Sequence, residues 1–202
     1  MELTKADHEA VSAAIREAER RTCGQIICVL SQSSSDYAFA PILWASLIAF
    51  LVPWPLIDLT QLSAQRIFML QLVVFILAAI ALLRMPLRLM LVPRAVQRAQ
   101  AHRAALEQFV VRRTMHTRNR CGILIFVSMA EHYARVIADV GIAQRVEGAE
   151  WKAVIDVLIA HIHSGQIANG FVAAIERCAA ILAEHAPPDG SSNDLPDRLY
   201  VM

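Results

Sequence analysis

Two long stretches of this 202-residue chain carry no ionisable side chain, and they limit the possible folds more than any other feature. The first runs from Ala38 to Ile57 (AFAPILWASLIAFLVPWPLI) and the second from Ile67 to Leu83 (IFMLQLVVFILAAIALL). A helix that crosses the roughly 30 Å hydrocarbon core of a bilayer needs about 20 apolar residues, with about 17–25 as the usual range. The sequence therefore predicts a hairpin of two transmembrane helices, at about 38–57 and 67–83.

The alternative interpretation of these stretches is a pair of buried core helices in a soluble protein. Hydrophobic residues make up 56% of the chain and charged residues 18%, against roughly 45–50% and about 25% in soluble domains. Two nearly adjacent, uncharged runs of this length exceed what a domain built from the remaining residues could bury. The lipid bilayer is therefore the expected partner of both stretches.

The distribution of arginine predicts the orientation of the hairpin. The connector from Asp58 to Arg66 carries one acid and one base. Five arginines follow the second stretch: Arg84, Arg88, Arg94, Arg98 and Arg103. Because basic residues collect on the cytoplasmic side of transmembrane segments, both termini should be cytoplasmic and the connector outside. The charged N-terminus has no apolar core before a cleavage site, so no signal peptide is predicted.

The basic segment after the second stretch has two interpretations. Its arginines could contact nucleic acid, or they could anchor the chain at lipid headgroups. The net charge of the whole chain is only +1, and arginines beside a span commonly lie at the headgroups. The sequence therefore favours the lipid surface, and no nucleic-acid partner is expected.

The segments on either side of the hairpin together predict one α/β domain. Residues 1–36 contain an amphipathic helix capped by Thr4 and the β-branched run QIICVL. Residues 93–186 contain a helix, the runs CGILIFVSMA and YARVIADVGI as two strands, and two further helices. A buried strand needs neighbours on both edges and cover on both faces, so the two segments should fold together around an inserted hairpin at 37–92. The predicted class is α/β, a small mixed sheet with helices on both faces, followed by a partly ordered tail at 187–202.

Four motifs, in a fixed order, carry a family resemblance. Gly24-Gln25-Ile26 opens the first strand, Cys121–Val127 forms the second, Ala138–Ile142 follows on the third, and Asn193–Pro196 lies in the tail. Together they resemble the TPM-domain family, in its bacterial membrane branch. Many members of the family are extracytoplasmic, whereas the spans and the arginine distribution of this chain predict a multi-pass protein of the bacterial inner (cytoplasmic) membrane. Members range from proposed phosphatases to accessory factors of membrane complexes, some binding divalent metals, so the resemblance constrains the fold more than the activity.

Polar side chains follow the first two strands of the predicted sheet. If these strands run parallel, their C-terminal ends meet at the edge where open α/β sheets bind ligands. That edge would gather Ser33, Ser35, Asp36, Ser128, Glu131 and His132. Two carboxylates beside hydroxyls and an imidazole could hold a hard cation such as Ca²⁺ or Mg²⁺, whereas the more common alternative is an ordinary polar loop. Asp139, at a position that resembles the family's pattern, is a further candidate ligand or a cap of the next loop.

The sequence contains few other signs of catalysis. No cysteine is followed six residues later by arginine, and there is no DxD, GxxxxGK[ST] or HExxH motif. The four cysteines form no CxxC pair, and His161 and His163 point to different sides of a helix. Two hypotheses remain. The favoured one is an accessory or interaction module for other membrane proteins, and the alternative is a divalent-metal-dependent phosphatase that uses the predicted sheet edge.

Overall fold

The computed structural model describes residues 3–35, 37, 39–84, 89–113, 121–187 and 198–202. The chain divides into two compact units. One unit comprises Met1–Ser34 and Gln100–Met202, and the other comprises Ser35–Ala99. The first contains a mixed β-sheet and is called the α/β unit below, and the second is called the helical unit. Two segments separated by the helical unit thus contribute to one sheet.

Helix α1 (Lys5–Arg20) begins at the predicted cap, Thr4. The Thr4 hydroxyl accepts a hydrogen bond from Asp7 N at 3.2 Å, and the Asp7 carboxylate accepts one from Thr4 N at 2.8 Å. This reciprocal pair satisfies two backbone donors of the first turn. Because the backbone and hydroxyl donors of Thr4 both stabilise the ionised carboxylate, the pKa of Asp7 lies below its usual value.

Four strands form one sheet in the order β3-β2-β1-β4. Strands β1 (Gln25–Ser31) and β2 (Gly122–Ser128) pair in parallel along their whole length. Strand β3 (Tyr133–Ala138) pairs antiparallel with β2. The mixed sheet expected from the sequence is therefore confirmed.

The end of β3 and the chain terminus differ from the predictions. Residues Leu199–Val201 form β4, a strand parallel to β1, where the sequence predicts a partly ordered tail. The third strand is predicted to continue to Ile142, but β3 ends at Ala138 and a one-turn helix, α6 (Val140–Ala143), follows. Asp139 caps α6 with its side chain, and such local hydrogen bonds compete with continuation of a strand.

Helices cover both faces of the sheet, as the sequence predicts. The covering helices besides α1 are α5 (Arg94–Arg113), α7 (Gly148–His163) and α8 (Ile167–His185). One face packs against α1, α7 and α8, and the other packs against the part of α5 around Ala105. Successive residues of β1 point to opposite faces of the sheet. Cys28 packs into the core beside α1, α7 and α8, and Val29 packs into the core beside α5.

Two glycines are required by their surroundings. A Cβ added to Gly24, at the start of the first strand motif, would lie 2.7 Å from Leu182 Cδ1 and 3.0 Å from the carbonyl oxygen of Cys121. Leu182 is fully buried, so it has little room to move aside. Between α7 and α8, Gly165 has a φ of 79°, the left-handed conformation that a helix-terminating glycine commonly adopts.

All four cysteines lie in the α/β unit as free thiols. Cys28, Cys121 and Cys178 are buried and Cys23 is half-buried. Burial raises the pKa of the Cys178 thiol to about 12. Burial, followed by the nearby Cys178 and Glu19, raises the pKa of Cys28 well above its usual value. Both thiols therefore stay protonated and poorly reactive near neutral pH while the unit is folded.

The helical unit contains α2 (Phe39–Leu51), α3 (Pro53–Leu59) and α4 (Ala64–Leu82). Pro53, inside the first predicted span, begins α3. Proline fits the first turn of a helix because an N–H there would have no intrahelical acceptor. Phe39–Leu59 and Ala64–Leu82 are thus two stretches long and apolar enough to cross a membrane.

The apolar side chains of these two stretches are largely uncovered. In the most apolar 18-residue windows of Phe39–Leu59 and Ala64–Leu82, 11% and 0% of the residues are buried. In α2, the buried residues are the small ones, Pro41, Ala45 and Ala49, one turn apart, and α2 packs closely against α4. Buried core helices, the alternative weighed from the sequence, would have most of their apolar side chains covered.

Candidate functional site

Three parallel strands end at the same edge of the sheet. Strands β1, β2 and β4 run in one direction, and Ser31 of β1 pairs with Ser128 of β2. Backbone hydrogen bonds continue beyond the strand ends, since Met129 N donates to Ser31 O at 3.0 Å and Gln32 N donates to Met202 O at 2.8 Å. The segments that follow these strands are therefore held side by side, at the edge where open α/β sheets usually bind ligands.

Glu131 lies at this edge, on the turn after β2, and its residue is 6% exposed. Its Oε1 accepts hydrogen bonds from the backbone N–H of Ser34 at 2.8 Å and from Ser33 Oγ at 3.3 Å. Its Oε2 accepts a short hydrogen bond from Ser128 Oγ, which also accepts one from Ser34 Oγ at 2.9 Å. These four residues, Ser33, Ser34, Ser128 and Glu131, are called the Glu131 clamp. The clamp ties the loop after β1 to the turn after β2.

The clamp uses both oxygens of the Glu131 carboxylate as acceptors for donors of the protein itself. Hydrogen bonds to an ionised carboxylate are stronger than those between neutral groups. Direct coordination of a cation by Glu131 would compete with these bonds for the same oxygen lone pairs. The arrangement therefore supports a structural link between two loops more directly than a metal ligand.

His132, the next predicted member of the site, closes the turn between β2 and β3. Its φ is 49°, in the left-handed region, and its N–H donates to Met129 O at 3.3 Å. A residue with a side chain in this region costs about 1–3 kcal/mol. The tight turn is therefore maintained by its surroundings, among them the clamp formed by the preceding residue.

A cleft of about 620 Å³ opens at the same edge of the sheet. Its lining residues are Leu3, His8, Leu30, Gln32, Met129, Ala130, Ile167 and Val201. Sequence reasoning missed His8 and Gln32, the polar members, because no spacing in the sequence relates α1 to the loop after β1. The described lining contains no carboxylate, so the chemistry of the cleft suits apolar and hydrogen-bonding groups better than a cation.

The other candidate ligands are Ser35, Asp36 and Asp139. Asp36 lies outside the described residues, and Ser35 belongs to the helical unit. Asp139 is 1% exposed and accepts a hydrogen bond from Val140 N at 2.6 Å, while its own N–H donates to Gly122 O at 2.8 Å. Gly122 begins β2, whereas Glu131 follows the end of β2, and a strand of that length spans about 20 Å.

A single metal ion therefore cannot bind both Glu131 and Asp139, because coordination distances to oxygen are only about 2.0–2.6 Å. Within the described part of the chain, no three His, Cys, Asp or Glu side chains lie close enough together to hold a metal ion. Binding of Ca²⁺ or Mg²⁺ at Asp36, Glu131 or Asp139 stays a prediction of the sequence.

Comparison with known proteins identifies the domain. Residues 86–181 match the family model of the TPM domain. The chain carries a TPM domain. A search of curated proteins found no match. Among solved structures, the NMR structure of the BA42 protein from the psychrophilic bacterium Bizionia argentinensis is similar, with a TM-score of 0.62 and 17% sequence identity over 100% of this chain and 97% of that one. At this identity the similarity extends to the fold alone.

The range that matches the TPM domain contains only part of the Glu131 clamp. The matched range contains β2, β3 and Glu131, whereas β1 and the serines of the loop after it precede that range. The clamp therefore joins the matched part of the TPM domain to a strand that is separated from it along the chain by the helical unit. The match supports the family predicted from the sequence, while membership of its bacterial membrane branch stays a prediction.

Proposed function

We propose that this chain is an integral protein of the bacterial cytoplasmic membrane whose TPM domain acts as an accessory or interaction module for other membrane proteins. The uncovered apolar surface of Phe39–Leu59 and Ala64–Leu82 carries the proposal. Their lengths of 21 and 19 residues match the thickness of a bilayer core. Covering such a surface with lipid is strongly favourable compared with leaving it in water.

The proposed orientation places both termini in the cytoplasm and the connector between α3 and α4 outside. In a Cys23→Ser background, which removes the half-buried thiol, Ser63→Cys would report on the connector and Ser164→Cys on the α/β unit; both residues are exposed. In spheroplasts, a membrane-impermeant maleimide should label position 63 directly and position 164 only after detergent is added. Labelling in the reverse order would contradict the orientation.

The chemistry of the sheet edge supports an interaction role over catalysis. Glu131 is engaged by donors of the clamp, and the cleft beside it is lined by apolar residues with His8 and Gln32. In the same unit, α5 exposes Leu106 and Val110 one turn apart, at 41% and 59%. Contiguous exposed apolar surface is typical of sites that contact other proteins, and these two residues are the part of such a surface that we propose on α5.

The accessory role predicts that these two residues of α5 matter for association. Leu106→Glu combined with Val110→Glu should reduce the membrane proteins that copurify after mild solubilisation, by about tenfold or more. Val140→Glu, which changes a valine of α6 that is 50% exposed, is the matched control and should retain them. Quantitative mass spectrometry of the three purifications measures the effect.

Two results would contradict the interaction role. One is the same set of copurifying proteins from the wild type, the α5 variant and the control. The other is hydrolysis of a phosphomonoester by the wild-type protein that stops when a chelator is added. That second result would favour the metal-dependent phosphatase predicted as the alternative.

A further inference from the structure

Three exposed arginines mark the passage from α4 to α5. Arg84 follows the last turn of α4, and Arg94 and Arg98 lie one turn apart at the start of α5. Among the described residues, none of the three has an ion-pair or hydrogen-bond partner on its side chain. Arg103, farther along α5, differs because its Nε lies 3.2 Å from Glu107 Oε1. Arg84, Arg94 and Arg98 are called the arginine collar.

Helix stability does not explain the arginines of the collar on α5. The N-terminal end of a helix carries a partial positive charge, which stabilises acids and disfavours cations in the first turn. The first turn of α5 nevertheless contains Arg94 and no acidic residue. A negatively charged partner outside the chain would offset this repulsion.

The opposite end of α4 lacks such a concentration of charge. Arg66 lies in the first turn of α4, and the connector before it contains Asp58. At about 1.5 Å of rise per residue, Arg66 lies about 24 Å along the helix from Leu82, the last residue of α4, and Arg84 follows two residues later. This separation is close to the thickness of the hydrocarbon core, about 30 Å. An α4 that spans the bilayer would therefore hold Arg84 at the headgroup level of one leaflet.

We propose that the arginine collar binds the anionic headgroups of phospholipids, such as phosphatidylglycerol, and enriches them around the protein. This inference rests on the proposed function, because it requires α4 to span the membrane. A guanidinium group matches phosphate with two parallel hydrogen bonds and remains charged at every physiological pH. Basic residues beside a span are attracted to an anionic leaflet, whereas a zwitterionic headgroup offers no net charge.

The preference for anionic lipid can be measured on the whole protein. The purified full-length chain is reconstituted in phosphatidylcholine vesicles that contain a trace of spin-labelled phosphatidylglycerol or phosphatidylcholine. Electron paramagnetic resonance then gives the relative association of each lipid with the protein. The wild type should prefer phosphatidylglycerol by about fivefold, the factor expected from one arginine near an anionic lipid.

Arginine-to-glutamine substitutions test whether the collar causes the lipid preference. Arg84→Gln, Arg94→Gln and Arg98→Gln in one chain should bring the preference close to one, as should about 1 M salt, where the Debye length falls to roughly 3 Å. Arg66→Gln, at the other end of α4, is the matched control and should keep the preference. Equal lipid preference in the triple variant and the wild type would overturn the assignment of the collar.

Alkaline carbonate extraction of the same vesicles separates the two proposals. Wild-type protein that resists extraction but shows no preference for phosphatidylglycerol would overturn the collar alone, and would direct attention to an acidic protein partner. Extraction of the wild-type protein by carbonate would overturn the proposed function, and with it the proposed role of the collar. Resistance to extraction with a preference lost only in the triple variant is the expected result.

Discussion

Replacing Glu131 with alanine should lower the unfolding temperature of the α/β unit by about 10 °C. The substitution removes the acceptor for Ser33 Oγ, Ser128 Oγ and the backbone N–H of Ser34. Because Glu131 and Ser128 are buried, at 6% and 1% exposure, water cannot readily replace the lost carboxylate. Leaving buried donors without an acceptor should cost about 3 kcal/mol of unfolding free energy.

The cysteines provide a selective probe of this unfolding. All four lie in the α/β unit and three of them are buried, so a thiol-reactive fluorophore brightens when this unit opens, whatever the helical unit does. Detergent-solubilised wild type and Glu131→Ala are heated with the dye. Glu184→Ala, which changes an exposed glutamate of α8, is the matched control and should stay within about 0.5 kcal/mol of the wild type. A Glu131→Ala shift no larger than that of the control would show that the clamp contributes little.

The same assay tests Glu131 as a metal ligand. A ligand that binds only the folded state raises the unfolding temperature, by an amount that grows with the logarithm of its concentration relative to its dissociation constant. If the clamp is purely structural, millimolar Ca²⁺ or Mg²⁺ should shift the wild type and Glu131→Ala equally. A shift seen in the wild type and absent from Glu131→Ala would support the predicted metal site at this carboxylate and would contradict the purely structural role.

The sequence predicted the strands whose residues form a continuous apolar run. The runs at β1 and β2 are continuously apolar because both faces are covered, which is readable from the residues alone. Strand β4 is different, since three residues carry too little pattern to identify a strand. It forms because β1 offers backbone partners, and Met202 N donates to Leu30 O at 2.9 Å. Tertiary pairing of this kind cannot be read from a terminal segment.

The candidate site was predictable in position but not in chemistry. Parallel strands bring Ser33, Ser128 and Glu131 to one edge, as the order of elements suggested. The sequence could not distinguish a carboxylate that binds a cation from one that accepts hydrogen bonds, because both need the same residue at the same place. The backbone N–H of Ser34 donates to Glu131 Oε1 at 2.8 Å. A backbone donor of this kind is present in every residue except proline, so the sequence cannot identify it.

Replacing Val73 with arginine should prevent stable integration of the helical unit into the membrane. Val73 lies at the midpoint of Ala64–Leu82 and is 47% exposed. A spanning α4 would place this position near the centre of the bilayer. An arginine there costs about 2.5–3.5 kcal/mol on the scale of membrane insertion, which corresponds to about a 100-fold change in the insertion equilibrium.

Carbonate extraction of isolated membranes measures this effect, with wild-type protein expected in the pellet and Val73→Arg in the supernatant or degraded. Val140→Arg makes the same chemical change at a valine of similar exposure on α6, outside the candidate spans, and should remain in the pellet. Val73→Leu should also remain there, because it keeps an apolar surface.

If Val73→Arg stays in the pellet as the wild type does, lipid does not cover α4 at this depth. The exposed apolar face would then require protein cover, since it is too large to remain in water, and the hairpin would be an assembly interface instead of a membrane anchor.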